Sequence, residues 1–256
     1  RLGVHIADVS HYVRENRPLD QEARQRGTSV YLVDRVIPML PHRLSNGICS
    51  LNQGEDRLTL SAEMDIDSSG RIVKYELFPS VIRVRTRLSY TIVRRILADK
   101  DAALQAQYAP LVPMLEKMET LAAALRQKRF RRGAIDFDLP ELKIKLDDRG
   151  VPIAIEKRTR SVAESIIEEF MLAANETVAE HMDRREIPFV FRVHADPDPE
   201  KMAKMADLLR GLGQRIGAWT NVSPMDLQKA LKWMEGKKEK KMVSTLMLRS
   251  LKQARY

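Results

Sequence analysis

Apolar positions along this chain change period several times, and each change predicts an element. Residues 2–8, LGVHIAD, form a short apolar run with β-branched members, which predicts a buried strand. Residues 19–26 have helical character, and Gly27 suits the left-handed position that ends a helix. Pro38, Pro41 and Gly47 exclude a long helix between residues 28 and 52. A loop of that length inside a compact domain is more often functional than idle. Residues 56–67 and 71–87 alternate around an SSG turn and predict two strands. Helices are predicted at 89–98 and, longer, from about 104 to 130. Residues 142–146 and 151–156 flank DDRG as a second hairpin. Between 159 and 184, Ile166, Phe170, Leu172 and Ala173 recur at helical spacing, the pattern of a buried central helix. A strand at 189–193 and helices at 199–210, 224–235 and 238–250 complete the pattern.

No internal repeat and no low-complexity linker divides these elements. The fold class expected is therefore mixed α/β (α+β), one mixed-sheet domain with surrounding helices, spanning residues 1–256 and cut within the domain at both ends. A chain of 256 residues is ample for a sizeable core. Charged residues at 31% and hydrophobic residues at 44% are ordinary for a soluble globular protein. The net charge of +9 favours a polyanionic partner, nucleic acid before membrane. Cys49 is the only cysteine, which excludes an internal disulfide or a cysteine-based zinc site and suits a reducing compartment, the cytoplasm. Apolar runs are too short to span a bilayer, so no membrane partner is expected.

More specific information lies in the wording of the loops. IADVS, TSVY, IPMLP, LSNGICSL and DRLTLSAEM follow one another between residues 6 and 64, and the chain closes on MLRSLKQARY, residues 247–256. In this order they resemble the catalytic domain of the ribonuclease II and ribonuclease R (RNB) family, enzymes that degrade RNA from its 3′ end. The resemblance covers essentially the whole chain. It implies the central part of a 3′→5′ hydrolytic exoribonuclease that threads single-stranded RNA, releases nucleoside monophosphates and works as a monomer. Val33 and Gln53 stand where the family often carries proline, a departure expected to loosen those loops.

Single-stranded RNA is gripped by stacking bases on aromatic faces and by tracking phosphates with Lys and Arg. Aromatic residues make up only 5% of the chain, so each one in a loop carries weight. By the resemblance, Tyr31 stacks against one base and Phe137 closes the other side, clamping a short run of nucleotides. Each has a plainer reading: Tyr31 packed under its loop, and Ile135 with Phe137 forming one core face. The resemblance also assigns Tyr90 and Glu168 to the 3′-terminal nucleotide and its ribose hydroxyls. Arg192, His194 and Arg249, with Lys252, fall in segments that match the family's wording and are expected near the RNA path. The run Arg126, Lys128, Arg129, Arg131 and Arg132 ends a helix, where cations oppose the helix dipole, and it reads as a solvated face, as does KKEKK at 237–241.

Metal-assisted hydrolysis of a phosphodiester needs several carboxylates converging on one or two cations. The family's aspartate cluster, with the Mg²⁺ it implies for the intact enzyme, is expected upstream of Arg1. No such spacing occurs within the chain, so no catalytic or metal-ligating residue is assigned here. Asp65 with Asp67, Asp136 with Asp138, and Asp196 with Asp198 read as turn or surface carboxylates, and Asp8 receives no metal role. Phosphate-loop, serine-elbow and nucleophilic-cysteine motifs are absent. Two other classes remain open: an RNA-binding protein of the same fold lacking catalysis, and a purely structural or interaction domain.

Overall fold

A computed structural model describes residues 1–137, 141–158, 160–217, 219 and 222–256. The fold is mixed α/β, with small antiparallel sheets and numerous helices. The chain forms two compact units, residues 1–123 with 140–178, and residues 124–139 with 179–256.

The first unit opens with β1 (Leu2–Ala7), α1 (Val9–Tyr12) and α2 (Pro18–Arg26). Gly27 ends α2 at φ 69°, as its position predicts. The irregular stretch that follows carries β2 (Val30–Tyr31), β3 (Val36–Ile37) and a π-helical stretch, Arg43–Ile48, and contains no long helix. Next come β4 (Asp56–Ile66) and β5 (Ile72–Arg83), which pair with β1 in the order β1-β4-β5. Leu2 lies opposite Met64 and Val4 opposite Ala62, so these residues share one face of the sheet. Leu2, Ala62 and Met64 are buried. The other face carries hydroxyls, which bond to one another: His5 Nδ1 lies 2.7 Å from Ser61 Oγ, and Ser80 Oγ lies 2.6 Å from Ser61 Oγ and 2.7 Å from Thr59 Oγ1. Buried Thr59 and Ser61 are thereby satisfied.

The turn of this sheet is built by Asp67. Its carboxylate accepts from the Ser69 hydroxyl at 2.6 Å, from the Ser69 N–H at 2.9 Å and from the Arg71 N–H at 3.0 Å. These bonds, led by the Ser69 hydroxyl, hold the carboxyl at about 2. The hairpin of β6 (Glu141–Leu146) and β7 (Pro152–Arg158) repeats the device. There Asp147 accepts from the Arg149 and Val151 N–H groups at 2.9 and 2.8 Å. Gly70 and Gly150 take the left-handed position in the two turns.

Between the hairpins lie α3 (Tyr90–Leu97), α4 (Ala102–Gln107) and the first part of α5 (Val112–Arg131). The sequence predicts one helix from about 104 to 130, and the structure breaks it between Gln107 and Val112. Pro110 is the reason: it lacks an N–H and pushes Ala109 away from the helical region. The long helix α6 (Val162–Arg184) matches the expected buried helix, with Ala163, Ile166, Phe170, Ala173, Ala174 and Thr177 buried. The predicted start at Thr159 lies outside the described residues. Thr177 donates to Met64 Sδ at 3.4 Å, joining helix to sheet.

The second unit contains the ends of α5 and α6, then β8 (Val193–His194), α7 (Pro199–Gly211), α8 (Pro224–Trp233), α9 (Lys240–Ser250) and β9 (Ala254–Arg255). A strand over 189–193 does not form. Only Val193 and His194 find a partner, in β9, while Phe189 and Val190 stay exposed. A strand is defined by its neighbour, and alternation alone supplies none. Proline at the first position starts both α7 and α8, with Asp198 and Ser223 as their caps. Met202, Leu209, Trp219, Ala230, Met234 and Val243 belong to the buried apolar cluster of this unit. Leu209 is 0% exposed. Replacing it by alanine should destabilise this unit by about 2–5 kcal/mol, the usual cost of a large-to-small core change. Urea unfolding followed by Trp219 and Trp233 fluorescence measures that loss, and an unchanged midpoint would contradict the packing described.

Candidate nucleic-acid interface

In the first unit, Tyr31 sits on the tight β2–β3 hairpin. It pairs with Val36, and the Leu32 N–H donates to the Arg35 carbonyl at 2.8 Å across the tip. Its side of the hairpin is open to solvent, with Tyr31 78% exposed. The ring is therefore not packed under its loop. Val33 is also exposed at this tip. At the other family proline position the side chain makes a bond of its own. Gln53 Oε1 accepts from the Arg87 N–H at 2.9 Å, so this side chain ties two segments together.

Tyr90 opens α3, one residue after the cap Ser89, whose hydroxyl accepts from the Ile92 N–H at 3.3 Å. It is 47% exposed. Glu168 lies on α6 between buried Ile166 and buried Phe170, with its carboxylate partly exposed and paired to Arg160. Its neighbour Glu169 is only 3% exposed. One residue is about 100° of helix, and this rotation separates a buried carboxylate from an accessible one.

Phe137, Arg192, His194 and Arg249 belong to the second unit. Phe137 and Ile135 are partly buried and pack against its apolar cluster, so the core-face reading of this pair holds at least for part of each ring or chain. The neighbouring Asp138 lies outside the described residues. Arg192, His194, Arg249 and Lys252 are exposed. Pairing of β8 with β9 sets Val193 opposite Arg255 and His194 opposite Ala254. The two basic segments, distant in sequence, are thus joined at one place, together with Arg255. The sequence places Arg255 within MLRSLKQARY without singling it out, because its place opposite Val193 appears only in the strand pairing.

The basic run at the end of α5 behaves differently. Arg126 donates to Asp136 at 2.7 Å, and Arg126 and Arg129 stand 4.8 and 5.6 Å from the centre of the Phe130 ring. In the 237–241 segment, Lys237 lies over the Trp233 ring and Lys240 pairs with Glu235 at 3.5 Å. These cations have local partners.

Of the carboxylates read as turn or surface groups, Asp67 builds its turn, Asp136 pairs with Arg126 and Asp196 is exposed. Asp8 accepts from the Ser10 hydroxyl at 2.6 Å and from the His11 N–H at 3.1 Å, and these bonds hold its carboxyl below the usual range. Asp65 takes a two-pronged bond from Arg1 at 2.9 and 3.0 Å, and Asp198 caps α7. Among the described residues no three His, Cys, Asp or Glu side chains converge to hold a metal ion. They do not fit a divalent-cation cage.

Exposed aromatic faces and cations are general means of holding single-stranded nucleic acid. Comparison with known proteins makes the class specific. The sequence matches the RNB domain over residues 1–256, and the chain belongs to that family. It is 47% identical over its whole length to Ribonuclease R 1 of Lactococcus lactis, covering 31% of that protein. It is 48% identical to Ribonuclease R of Thermotoga maritima, again over its whole length and 36% of that protein. The chain thus spans about a third of the curated relatives it matches. Among solved structures, it resembles Mycoplasma genitalium RNase R in complex with ribose methylated single-stranded RNA, with a TM-score of 0.87 and 31% identity over 98% of this chain and 39% of that one. The same protein in complex with double-stranded RNA gives a TM-score of 0.89, over 98% of this chain and 45% of that one. Yeast Ssd1, described as a pseudonuclease, shares the fold at a TM-score of 0.76 and 22% identity, covering 99% of this chain and 30% of that one. No helix of the described residues is long and apolar enough to cross a membrane.

With no converging ligand set among its described residues, the 256-residue segment alone should not cleave RNA in a metal-dependent way. Incubation of the pure segment with labelled oligo(A) and Mg²⁺ should leave the RNA intact. Stepwise shortening that follows the protein through purification would refute this.

Proposed function

We propose that this segment is the central, RNA-holding part of a 3′→5′ hydrolytic exoribonuclease that releases nucleoside monophosphates from single-stranded RNA. The observation that carries this reading is the match to the RNB domain over all 256 residues, with Ribonuclease R relatives at 47 and 48% identity. Mg²⁺ is the proposed cation of the whole enzyme, on ligands outside this chain, and no step of the hydrolysis is assigned to the residues described. The protein is proposed to act as a cytoplasmic monomer, without a membrane partner, in keeping with its single cysteine and basic charge.

Each site residue has a proposed task. Tyr31 offers a stacking face for one base, and the exposed part of Phe137 offers another. Tyr90 and the accessible carboxylate of Glu168 bond ribose hydroxyls at the 3′ end, as donor or acceptor and as acceptor respectively. Arg192, His194 and Arg249 track the RNA backbone, and the β8–β9 pairing that gathers their segments supports this. A catalytically inert RNA-binding protein is the second reading, because the same fold occurs in yeast Ssd1, a pseudonuclease.

Incubation of the full-length protein with 5′-labelled oligo(A) separates the two. A nuclease shortens it stepwise from the 3′ end, whereas an inert binder retains it whole. In the same assay Tyr31→Ala should weaken binding by about 1–3 kcal/mol, the worth of one base stack, and alter the length of the final product. Unchanged affinity together with an unchanged product would remove Tyr31 from the RNA grip.

Ribose contact predicts a second outcome. A site built to bond a hydroxyl penalises a substrate lacking it, because its own polar groups are left unpaired. The Tyr90→Phe, Glu168→Ala double variant should therefore lose about tenfold or more of the preference for RNA over matched DNA. The ratio of kcat/KM values on the two oligonucleotides is the measurement. Discrimination as sharp as in wild type would leave Glu168 as a helix-face carboxylate paired with Arg160.

A further inference from the structure

The segment that leads from α5 to Phe137 is fastened to α8 by bonds that α8 does not need for itself. Helix α5 ends at Arg131, and the chain reverses through Gly133 at φ 94°. The N–H of Gly133 donates to the Phe130 carbonyl at 3.0 Å, and that of Ala134 to the Arg129 carbonyl at 3.2 Å. At the apex the backbone lies directly on the first turn of α8. A Cβ on Gly133 would stand 2.7 Å from the Met225 nitrogen and 3.0 Å from the Pro224 carbonyl carbon. Glycine is required there for space as well as for its positive φ.

One turn further along the same face of α8 is Gln228. Its Nε2 donates to the Phe130 carbonyl at 2.9 Å and to the Ala134 carbonyl at 2.8 Å, residues 98 and 94 positions away. A side-chain amide has two N–H donors, and both are spent here, one on each side of the reversal. Helix α8 is otherwise secured by its Ser223–Asp226 capping box and by buried Leu227, Ala230 and Leu231. Three residues beyond Ala134, Phe137 packs against the apolar cluster that those α8 residues help to form.

We propose that Gln228 is a positioning residue for Phe137. It clamps both arms of the turn at 130–134, and so sets the direction in which residues 135–137 leave it and the part of the Phe137 ring left facing RNA. This rests on the reading that Phe137 stacks on a base. A single contact to one carbonyl would permit the turn to pivot, whereas two contacts on opposite arms, with the glycine apex pressed on α8, fix its orientation.

The test is a double-mutant cycle in the full-length protein, using Gln228→Met, which keeps the length of the side chain and removes both donors, and Phe137→Ala. Affinity for 5′-labelled oligo(A) is read by fluorescence anisotropy, and thermal melting is followed by Trp219 and Trp233. Phe137→Ala should weaken binding by about fivefold to a hundredfold. Gln228→Met, still melting cooperatively, should weaken it by about threefold to tenfold and change the length of the limiting product, and in the Phe137→Ala background it should cost nothing more. Wild-type affinity in Gln228→Met, or fully additive losses, overturns the positioning role while leaving the Phe137 reading intact. Wild-type affinity in Phe137→Ala removes the stacking reading itself, and the proposal with it. Should Gln228→Met not fold, Gln228→Glu provides the same decision through a pH profile. Its protonated carboxyl donates one bond and its ionised form none, so its affinity relative to wild type should rise as pH falls through the carboxyl range. A flat ratio overturns the proposal.

Discussion

One apolar stripe on α6 constrains much of what the first unit can present. Ala163, Ile166, Phe170, Ala173, Ala174 and Thr177 recur at spacings of three and four and are buried together. Because that stripe must face inward, the helix cannot rotate, and the orientation of every other residue on it is decided. Glu168 emerges beside the stripe and Glu169 falls within the buried surface. The sheet depends on the same contact, since Met64 of β4 meets Thr177. A polar residue proposed to read a ribose hydroxyl is accurate only if its helix is fixed, and here burial of apolar surface supplies that fixity.

Charge is arranged on the same logic. Many acidic groups of the described segments serve turns, caps and ion pairs, among them Asp67 and Asp147 in hairpin turns, Asp8 and Asp198 at helix starts, Asp65 on Arg1 and Asp136 on Arg126. With those carboxylates engaged locally, the net charge of +9 is expressed where cations stand exposed, as at Arg192, Arg249, Lys252 and Arg255. Exposed ion pairs add little to stability. Their larger effect is to decide which cations remain to attract a polyanion and release its counterions.

Elements with a strong local signal were legible in the sequence. The hairpins could be read because alternation and an Asp-x-x-Gly turn agree, and α7 and α8 because a capping residue precedes proline and an apolar stripe follows. Where the outcome depended on a distant partner, the sequence was mute. The strand expected over 189–193 shrank to Val193 and His194 because β9 offers only two residues for pairing. The break before α5 falls at Pro110, a local signal to which the expected helix over 104–130 gave no weight. For the candidate site, Tyr31, Tyr90 and Glu168 were legible through family wording, and the structure adds their exposure. Gln228 was not legible, since a glutamine on an amphipathic helix has no mark that its amide reaches two carbonyls nearly a hundred residues upstream.

The residues proposed to hold RNA are distinct from the carboxylates proposed to hold the metal ion of the whole enzyme. Tyr90 and Glu168, proposed to bond riboses, stand on α3 and α6, whose packing needs no metal, and many of the described carboxylates are engaged in turns, caps and ion pairs. A relative could therefore lose the cutting site without disturbing the core, because no described apolar contact depends on a carboxylate cage. The reverse does not hold. Loosening the turn beside α8, or rotating α6 by one residue, would displace the proposed stacking and hydroxyl-bonding groups even if every metal ligand of the whole enzyme were kept. Stacking faces and hydroxyl-bonding groups, like catalytic groups, work only when held close to their intended geometry, so the proposed RNA contacts place a direct demand on the fold. The same architecture is found in Mycoplasma genitalium RNase R and in yeast Ssd1, described as a pseudonuclease.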